Sequence, residues 1–583
     1  MKTTFLICGD IGCSGYGSQE IYAKFLKHKE EWFEVRFTGC QGFCAVGPVI
    51  EIQPQHVFYQ KVTVDDVEDI ITTTKHNWLI QRLLYTSPDS RLHVKTNDIP
   101  FYAQQKKVVL RTNGQVSPDS IDDYLALEGY AGLKKALTMT PSAVLDEIAK
   151  SGLRGRGGGG FATGKKWQSV ANSRETPKYI ICNGDEGDPG AFMDRSVMQG
   201  TPHAVLEGMI IGAYAIGANQ GYIYVRDEYP QAVQNLQIGI DAARSRGFLG
   251  ENILQTGFAF DIAIKRGAGA FVCGESSALM RSIEGKIGEP NEKYVHASER
   301  GLWGKPTVLN NVETFANVPY IIQHGADEFK KMGTAGSPGT KVFSLVGKVK
   351  NVGLIEVEMG LTLRQIIFDI GGGIVKDRPF KAVQTGGPSG GCIPAEHLDS
   401  PIDFDSLTAL GSMMGSGGMI VMDEWDCMVE VARYFTKFLI EESCGKCVPC
   451  REGLIQVNHI LERIAAGKGK PEDIDRLQAL GEYIANSSLC GLGKSAPNPL
   501  VSTLRYFQAE YLEHIEQKHC RAGVCKALTT FTINQDTCTR CGACFKACPV
   551  NAIARNGTYQ ILQEQCIKCG ECRAVCKFNA VKW

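Results

Sequence analysis

The chain carries almost no net charge, because 62 lysine and arginine residues stand against 63 aspartate and glutamate residues among 583. A protein whose main task is nucleic-acid binding has a basic excess, so the composition does not favour that class. A long apolar run is missing too. The longest, residues 204–218, contains Glu207 and is too short to span a bilayer. We predict a buried helix there and no membrane span.

No secretory signal is recognisable, since the first eight residues lack an extended apolar region and a cleavage site. We therefore expect a cytoplasmic protein. Disulfides are rare in that compartment, yet the chain has 22 cysteines. Most are separated from the next cysteine by two to four intervening residues, which is more typical of metal ligands than of disulfides. The leading prediction is iron–sulfur chemistry in a chain of several domains.

The strongest pattern is a cysteine repeat near the carboxyl end, with an offset of 28 residues. Each copy has the spacing C-x2-C-x2-C-x3-C, in which the fourth cysteine ligates the other cluster of a two-cluster ferredoxin. One predicted [4Fe–4S] cluster is held by Cys538, Cys541, Cys544 and Cys576. The other is held by Cys566, Cys569, Cys572 and Cys548. Zinc binding by these eight cysteines is the alternative.

Two more groups of four cysteines precede this repeat. Three cysteines at two-residue gaps and a distant fourth predict a third [4Fe–4S] cluster, with zinc as the alternative: Cys444, Cys447, Cys450 and Cys490. Two looser pairs, each after a predicted strand, suit a [2Fe–2S] cluster: Cys8, Cys13, Cys40 and Cys44. A thioredoxin-like redox pair would need C-x-x-C spacing. Cys182, Cys273 and Cys427 are predicted to be small buried side chains.

A glycine-rich segment contains G-x-G-x-x-G as Gly155, Gly157 and Gly160. The segment before it looks helical, so an ordinary Rossmann turn is disfavoured. Six glycines in a short span still let backbone N–H groups approach an anion, and Lys165 and Lys166 add positive charge. We therefore predict that this segment binds a phosphate-bearing cofactor.

Acidic residues gather in two further turns that follow predicted strands, "CNGDEGDPGAFMDR" and "RGAGAFVCGESSAL". Such carboxylates repel phosphate, but they accept hydrogen bonds from ribityl or ribose hydroxyls and from flavin N–H groups. Together with the cysteine groups, the three turns indicate a flavoenzyme connected to one-electron carriers.

These segments, with "GLWGKPTVLNNVET" and "ESCGKCVPCREG", resemble the flavin- and NADH-binding subunit of respiratory complex I. The extra cysteine domains at both ends look like those of the beta subunit of electron-bifurcating hydrogenases and of related NAD(P)-linked hydrogenases and formate dehydrogenases. The resemblance covers nearly the whole chain.

The resemblance implies a multidomain α/β and α+β fold. Its parts are a thioredoxin-like [2Fe–2S] domain (1–95), a linker (96–130), an FMN- and NAD(H)-binding α/β domain (131–335) and an SLBB-like, ubiquitin-like β-grasp domain (336–422). A helical [4Fe–4S] domain (423–513) and a ferredoxin-like 2[4Fe–4S] domain (530–583) follow. Between these two domains we expect a hinge (514–529) with a candidate zinc site.

The resemblance also implies roles for residues of the three turns. FMN is expected to meet Gly155, Gly157, Lys166, Asn183, Asp185, Glu186, Phe271, Gly274, Glu275, Asn310 and Asn311. The nicotinamide nucleotide is expected near Gly158, Phe161, Asp188 and Lys293. The complex I pattern has a glutamate where this chain has Ser276, and another where it has Asp188. A carboxylate beside the adenosine ribose disfavours a 2′-phosphate. Because this chain lacks the glutamate at position 276, the choice between NAD(H) and NADP(H) stays open.

The implied function is that of a diaphorase, which exchanges hydride between NAD(P)(H) and FMN and passes single electrons to clusters. The expected partners are a hydrogenase or formate dehydrogenase catalytic subunit, a small thioredoxin-like [2Fe–2S] gamma subunit and ferredoxin, with flavin-based electron bifurcation. No protein acid or base is needed for hydride transfer, so no catalytic residue is predicted. The alternatives are a formate dehydrogenase or complex I-like module without bifurcation, and an electron-transfer scaffold that binds no nucleotide.

One cysteine pair is left over once these clusters are assigned. Cys520 and Cys525 lie where a hinge is expected, six residues or more after His514. Two thiolates and one imidazole suit zinc, and Cys392 is the predicted fourth ligand. A [2Fe–2S] cluster and incidental cysteines are the alternatives.

Overall fold

The computed structural model describes residues 2–292 and 296–583. The chain divides into two compact units. The first comprises Met1–Asp377, Val383–Val421 and Leu489–Leu492, and the second comprises Arg378–Ala382, Met422–Ser488 and Gly493–Trp583. Within the described residues, we find no helix that is both long enough and apolar enough to cross a membrane.

The first unit begins with a four-stranded sheet in the order β2-β1-β3-β4, with β1 and β2 parallel and the other pairs antiparallel. Its strands are β1 (Thr3–Cys8), β2 (Phe33–Thr38), β3 (Ile50–Gln53) and β4 (Val57–Tyr59). Its helices are α1 (Ile11–Ser14), α2 (Ser18–Lys27) and α3 (Val67–Lys75). The sequence of residues 1–75 predicts a strand, a helix, a strand, a hairpin and a helix, and the structure has this order with the short α1 added after β1. Phe5, Phe25 and Phe33 lie in its core.

The segment after this sheet has only short strands and helices, but it packs against the rest of the first unit. It contains β5 (Tyr85–Thr86), β6 (Leu92–His93), α4 (Pro100–Ala103), α5 (Ile121–Ala126) and α6 (Ala131–Ala136). Val108, Tyr124 and Tyr130 join the core of the following α/β layer. The segment therefore covers that layer and contributes to its core.

The α/β layer holds a fully parallel sheet in the order β10-β7-β8-β9. Its strands are β7 (Tyr179–Gly184), β8 (Gln220–Arg226), β9 (Asp261–Gly267) and β10 (Thr307–Asn311). Its helices are α7 (Pro141–Ser151), α8 (Thr163–Ala171), α9 (Met193–Gly200), α10 (Pro202–Ile216), α11 (Pro230–Ser245), α12 (Ser276–Ile283), α13 (Ala297–Arg300), α14 (Val312–His324) and α15 (Ala326–Lys330).

Helix α10 is the buried helix predicted from residues 204–218. It begins with a proline and ends at Gly217, which adopts a left-handed conformation. Its acidic residue, Glu207, is only 1% exposed. The Glu207 carboxylate accepts hydrogen bonds from the Tyr124 hydroxyl at 2.7 Å and from the backbone N–H groups of Tyr130 and Leu133 at 2.9 and 3.0 Å. These partners let a carboxyl group lie inside the core.

A five-stranded sheet in the order β14-β13-β17-β15-β16 follows. Its elements, with a preceding hairpin, are β11 (Gly333–Thr334), β12 (Ser337–Pro338), β13 (Thr340–Gly347), β14 (Gly353–Glu358), β15 (Phe380–Thr385), β16 (Gly391–Pro394), β17 (Gly418–Asp423) and helix α16 (Phe404–Ala409).

The second unit contains helices and then a small cysteine-rich tail. The helices are α17 (Met428–Glu442), α18 (Val448–Ala465), α19 (Asp473–Ser487), α20 (Gly491–Ser495) and α21 (Asn498–Leu512), which a π-helical turn, Glu513–Gln517, extends. The tail has β18 (Thr532–Ile533), α22 (Ala543–Ala547), β19 (Ile553–Asn556), β20 (Thr558–Ile561), α23 (Glu571–Ala574) and β21 (Val581–Lys582).

Candidate flavin and metal sites

The parallel sheet of the first unit reverses its strand order between β7 and β10. From β7 the chain moves outward to β8 and β9, and then returns to place β10 on the other side of β7. Ligands of open α/β sheets bind in the crevice at the carboxyl ends of the strands at such a point. Asn183 lies at the end of β7, and Asn310 and Asn311 lie at the end of β10. The predicted cofactor residues therefore meet at the crevice that the topology creates.

The glycine-rich segment lies against this crevice. A Cβ atom at position 157 would be 2.9 Å from the Cβ of Asn311, so only glycine permits that approach. Gly158 has a φ of +115° and lies against Gly415. The Gly155 N–H donates to the carbonyl of Phe161 at 2.8 Å, which closes the loop on itself. Helix α8 begins directly after the loop, as anion-binding loops require.

A wholly buried arginine anchors this loop, and the sequence did not single it out. Arg156 donates from Nη2 to the Pro338 carbonyl at 2.7 Å and from Nε to the Thr340 carbonyl at 3.0 Å. Its backbone N–H donates to the Thr314 hydroxyl at 2.8 Å. Burial lowers the pKa of Arg156 to about 10. The side chain is structural, because its guanidinium donates hydrogen bonds to carbonyl groups beneath the loop.

Lys166 is the cation nearest to the crevice floor. Its Nζ donates to the carbonyl of Leu309, on β10, at 2.8 Å. Desolvation by burial lowers the pKa of Lys166 to about 8. The neighbouring Trp167 donates from its indole to Asn310 Oδ1 at 2.9 Å, and Asn311 donates from Nδ2 to Asp194 Oδ2 at 2.5 Å. These two hydrogen bonds therefore fix the orientation of the Asn310 and Asn311 side chains.

The acidic turn after β7 is ordered by its own hydrogen bonds. Asn183 Nδ2 donates to the Gly274 carbonyl at 2.9 Å, and the Asp185 N–H donates to Asn183 Oδ1 at 3.0 Å. Glu186 accepts from the N–H groups of Asp194 and Arg195 at 3.0 and 3.1 Å, at the start of α9. Burial raises the pKa of Glu186. Its carboxylate is therefore used to cap α9, beside the crevice.

Asp188 lies further along the same turn. The Ser416 hydroxyl donates to Asp188 Oδ2 at 2.7 Å. A Cβ atom at Gly387 would be 2.6 Å from the carboxyl carbon of Asp188, so the backbone of Gly387 packs directly against that carboxyl group. Burial, partly offset by Ser416, raises the pKa of Asp188 to about 6. Ser416 is a second residue that the sequence patterns do not identify.

The third turn, after β9, reaches the acidic turn. Phe271 and Gly274 form a short 3-10 turn, and a Cβ atom at Gly187 would lie 2.7 Å from the Phe271 ring. Glu275 caps α12, accepting from the N–H groups of Ser277 and Ala278 at 2.9 and 3.1 Å. Its other oxygen accepts from the Ser276 hydroxyl at 3.1 Å.

The predicted nucleotide residues are distributed unevenly. Gly158 and Asp188 lie at the crevice, and Phe161 is 74% exposed at the rim of the glycine loop. Lys293 lies outside the described residues. The residues at the crevice are thus close-packed glycines, the ammonium group of Lys166 and the carboxyl groups of the acidic turn. That donor set fits a phosphate-bearing flavin.

The N-terminal cysteines form a connected group of thiols. Cys8 ends β1, Cys13 lies in α1, and Cys40 and Cys44 flank the turn after β2. Hydrogen bonds from Cys13 and Cys40 lower the pKa of the Cys8 thiol, and Cys40 is hydrogen-bonded to Cys44 as well. Each thiol thus contacts at least one other thiol of the group, and four cysteines linked in this way on two adjacent loops fit an iron–sulfur site.

The helical cysteines lie at helix starts. Cys447 precedes α18 and Cys450 is buried in its first turn, where its Sγ lies 3.3 Å from the Ser443 hydroxyl. Cys444 is exposed and Cys490 is buried. A Cβ atom at Gly493 would lie 3.2 Å from the Cys450 Cβ, so Gly493, on α20, approaches the first turn of α18.

The tail brings its two cysteine runs together. A cavity is lined by Cys548 and by Cys566, Cys569 and Cys572, the set predicted for one cluster. The charges of Cys538, Cys541 and Cys576 raise the pKa of Cys544 after the larger effect of burial, so the other predicted set is also adjacent. The two halves match in detail. Cys548 accepts from the Ala552 N–H at 3.2 Å, and Cys576 accepts from the Ala580 N–H at 3.3 Å.

A fourth metal-binding group lies wholly in the second unit. Its four ligand atoms, from buried side chains, lie within 4.8 Å of one another: Cys427, His514, Cys520 and Cys525. His514 Nε2 is 3.3 Å from the sulfurs of Cys427 and of Cys525, and those two sulfurs are 3.8 Å apart. Zinc–sulfur bonds of about 2.3 Å imply tetrahedron edges of roughly 3.8 Å. The separation of the Cys427 and Cys525 sulfurs equals that edge length.

This geometry corrects two sequence predictions. Cys427 is a ligand candidate and not merely a small buried side chain, because it immediately precedes α17 and faces His514. Cys392 is not a member of the group, since it lies on β16 and its thiol donates to Gln384 Oε1 at 3.0 Å. His514 Nδ1 lies 2.6 Å from the Glu510 carbonyl, which leaves Nε2 as the ligand atom. His519 instead contacts Glu513 Oε1 at 2.6 Å.

Three family models match successive parts of the chain. The Nuo51 FMN-binding domain matches residues 148–320, and the NADH-ubiquinone oxidoreductase-F iron-sulfur binding region matches residues 430–514. The 4Fe-4S binding domain matches residues 531–554 and 559–582.

Curated relatives match over longer stretches. The chain is 56% identical over 451 residues to the HndC subunit of the NADP-reducing hydrogenase of Solidesulfovibrio fructosivorans, covering 77% of this chain and 92% of that one. It is 44% identical over 414 residues to the F 2 subunit of the NADH-quinone oxidoreductase of Rhizobium meliloti (strain 1021), covering 71% and 98%. The chain belongs to the family of NADH- and FMN-binding subunits of hydrogenases and complex I-like enzymes.

A solved structure supports the same assignment. The crystal structure of an NAD+-reducing [NiFe]-hydrogenase in the H2-reduced state is similar over 88% of this chain and 84% of that one, at 28% identity and a TM-score of 0.63. The protein is therefore an NAD(P)H-linked oxidoreductase of mixed α/β structure, with an FMN-binding domain and [4Fe–4S]-binding regions.

Proposed function

We propose that the chain is the diaphorase subunit of a cytoplasmic hydrogenase or formate dehydrogenase complex that exchanges electrons with NAD(P)(H) and ferredoxin. The observation that carries the proposal is the meeting of three glycine-rich turns at the β7/β10 crevice, in a chain that also has a ferredoxin-like cysteine repeat. FMN, when bound, supplies the conversion between a two-electron hydride and single electrons.

The protein's own groups bind and orient. The glycine loop and Lys166 would hold the phosphate end of the cofactor, while Asn183 and Asp185 would accept from or donate to its hydroxyl and N–H groups. Asp188 and the exposed Phe161 border the space for the nicotinamide nucleotide, and Gly158 lets backbone approach it. No side-chain acid or base is assigned to hydride transfer, because none is needed.

Four clusters would then carry single electrons away. We assign one [2Fe–2S] cluster to the N-terminal domain, one [4Fe–4S] cluster to the helical domain and two to the tail, with the fourth cysteine of each tail run crossing to the other cluster. The domain boundaries given above, including the thioredoxin-like and β-grasp domains, belong to this proposal.

We also assign zinc to the Cys427, His514, Cys520 and Cys525 group. The separation of its ligand atoms suits one ion, and the His514–Glu510 contact holds the imidazole in the required tautomer. The ion would fix the loop that carries Cys520 and Cys525 against helices α17 and α21. Its role is structural, at the start of the ferredoxin tail.

The relatives support a hydrogenase as a partner. HndC is named as a subunit of an NADP-reducing hydrogenase, and the solved relative is an NAD+-reducing hydrogenase. The proposed partners are a hydrogenase or formate dehydrogenase catalytic subunit, a small [2Fe–2S] subunit and ferredoxin. Flavin-based bifurcation would require both ferredoxin and NAD(P)(H) for turnover of the assembled complex. Turnover of hydrogen or formate with either acceptor alone would exclude it.

The flavin assignment is tested with purified full-length protein. Adding NADH under anaerobic conditions should bleach the flavin absorption band. A K166M variant should bind FMN about 10- to 100-fold more weakly, because a charged hydrogen bond contributes roughly 1.5–3 kcal/mol. K165M is the matched control, since the Lys165 side chain is exposed. A flavin band that neither NADH nor NADPH changes would leave only the scaffold interpretation.

A further inference from the structure

The first turn of α9 contacts the acidic turn of the flavin crevice through its backbone. The N–H of Arg195 donates to Glu186 Oε2 at 3.1 Å, beside the bond from Asp194 to Oε1. The Tyr229 hydroxyl donates to the Glu186 carbonyl at 3.1 Å. The position of Arg195 is therefore tied to the turn that carries the candidate flavin residues.

The side chain of the same arginine points to the N-terminal domain. Arg195 Nη2 lies 3.5 Å from Asp10 Oδ1. On its way the guanidinium passes the rings of Phe192 and Tyr229, at 5.4 and 6.0 Å from their centroids. The side chains of Arg195 and Asp10 are only 20% and 4% exposed. The pair is therefore screened little by solvent.

Asp10 belongs to the N-terminal cysteine loop. It follows Cys8 by two residues and caps α1, the helix that contains Cys13, through a 3.1 Å bond from the Gly12 N–H to Oδ1. Its other oxygen, Oδ2, is buried and has no hydrogen-bond partner among the described residues. A carboxylate thus lies beside the candidate cluster thiols, and Arg195 provides its ion pair.

These contacts give Arg195 an electrostatic role. A [2Fe–2S] cluster held by four thiolates is anionic, and reduction adds one more negative charge. A buried carboxylate nearby opposes reduction, whereas a buried guanidinium favours it. The reduction potential of the cluster therefore depends on whether this cation is present.

We propose that Arg195 is a positioning residue that sets the reduction potential of the N-terminal cluster and holds its loop to the flavin turn. The inference rests on the proposed [2Fe–2S] and FMN sites. The step concerned is the addition of one electron to the cluster, with no proton transfer and no covalent change. The electron comes from NAD(P)H by way of the flavin in the working complex.

The test is a reductive titration of the full-length, cluster-loaded protein, monitored by the electron paramagnetic resonance signal of the [2Fe–2S] cluster. The signal is assigned by its loss in a C44S variant. R195Q should lower the midpoint potential by about 59 mV or more, which corresponds to a tenfold change in the one-electron equilibrium constant. R195K should retain most of the wild-type value, and D10N should raise it.

A matched control is available in the same unit. Arg36 Nε lies 3.5 Å from Asp123 Oδ2, the same separation as in the Arg195–Asp10 pair, but Asp123 is on α5 and not in a cysteine loop. R36Q should leave the midpoint potential unchanged. A purely structural role for Arg195 would lower the melting temperature of R195Q without moving the potential.

Equal midpoint potentials in R195Q, R195K and the parent would overturn the inference, as would equal shifts in R195Q and R36Q. If R195Q does not accumulate, D10N decides, since an unchanged potential there contradicts the charge argument. A parent protein with no [2Fe–2S] signal would instead refute the proposed cluster. The two failures are therefore distinguishable.

Discussion

Two cysteine pairs of this chain share a four-residue gap, Cys8/Cys13 and Cys520/Cys525, but they gain different partners on folding. The first pair meets two more thiols, Cys40 and Cys44, from an adjacent loop of its own small sheet. The second meets one thiol and one imidazole, delivered by the start of α17 and by the turn that extends α21.

The difference shows that the gap between two ligands does not decide the metal. What matters is the number, kind and spacing of the other ligands. Ligand atoms within 4.8 Å of one another suit a single ion, whereas a two-iron cluster needs its ligands distributed around two metals. Variants at the two sites can therefore test whether the ligand set accounts for the difference between them.

The largest effect is expected at the ligand that the sequence did not predict. C427A should lose the single zinc ion and destabilise the Cys520–Cys525 loop, because a structural zinc site contributes its binding energy to folding. Elemental analysis should show about one zinc per chain in the parent and near none in the variant. C392A, at the ligand predicted from sequence, is the control and should keep its zinc. Zinc loss in C392A alone would reverse the assignment.

The N-terminal pair should respond independently. C44S should remove the [2Fe–2S] cluster and reduce iron from about 14 to about 12 atoms per chain, given three remaining [4Fe–4S] clusters. Zinc content should not change, because the zinc ligands all lie in the second unit. A joint loss of zinc and iron would mean that the two pairs are not separate sites.

A smaller effect is expected from the anchor of the second pair. Arg573 Nη1 donates to the Ala522 carbonyl at 2.7 Å, and its guanidinium lies 3.8 and 3.3 Å from the ring centroids of Trp425 and Trp583. Losing a charged hydrogen bond of roughly 1.5–3 kcal/mol should let R573Q release zinc to a chelator about tenfold faster. R555Q is the control, since Arg555 is exposed. Equal release rates in R573Q and R555Q would contradict this anchoring role.

The smallest change is expected when the two sites are made alike. H514C would give the second site four thiolates, like the first. We expect it to retain zinc and to take up no extra iron, because the sulfurs of Cys427, Cys520 and Cys525 keep the spacing that suits one ion. The measurement is the zinc-to-iron ratio after reconstitution with both metals. Iron uptake would show that ligand type outweighs spacing.

Much of the local structure was predictable from the sequence. The residue patterns of the first 75 residues predicted β1, α2 and β2, and the apolar character of residues 204–218 predicted α10. The partner of Glu207 was not predictable, because Tyr124 and Tyr130 come from a segment with no clear periodicity. The roles of Arg156 and Ser416 were not predictable either. Arg156 donates to backbone carbonyls and Ser416 donates to a carboxylate, and these partners are far away in the chain.

The order of the cysteines along the chain was enough to group the tail ligands, because short gaps force thiolates of one loop to converge on one cluster. The three glycine-rich turns could also be grouped from the sequence, because their residue types together indicate one cofactor, and two of them follow predicted strands. Only the packed structure could choose Cys427 over Cys392. Both follow the hydrophobic rule for buried cysteines, and a contact between residues 427 and 514 depends on how two helices pack, which short-range sequence patterns do not encode.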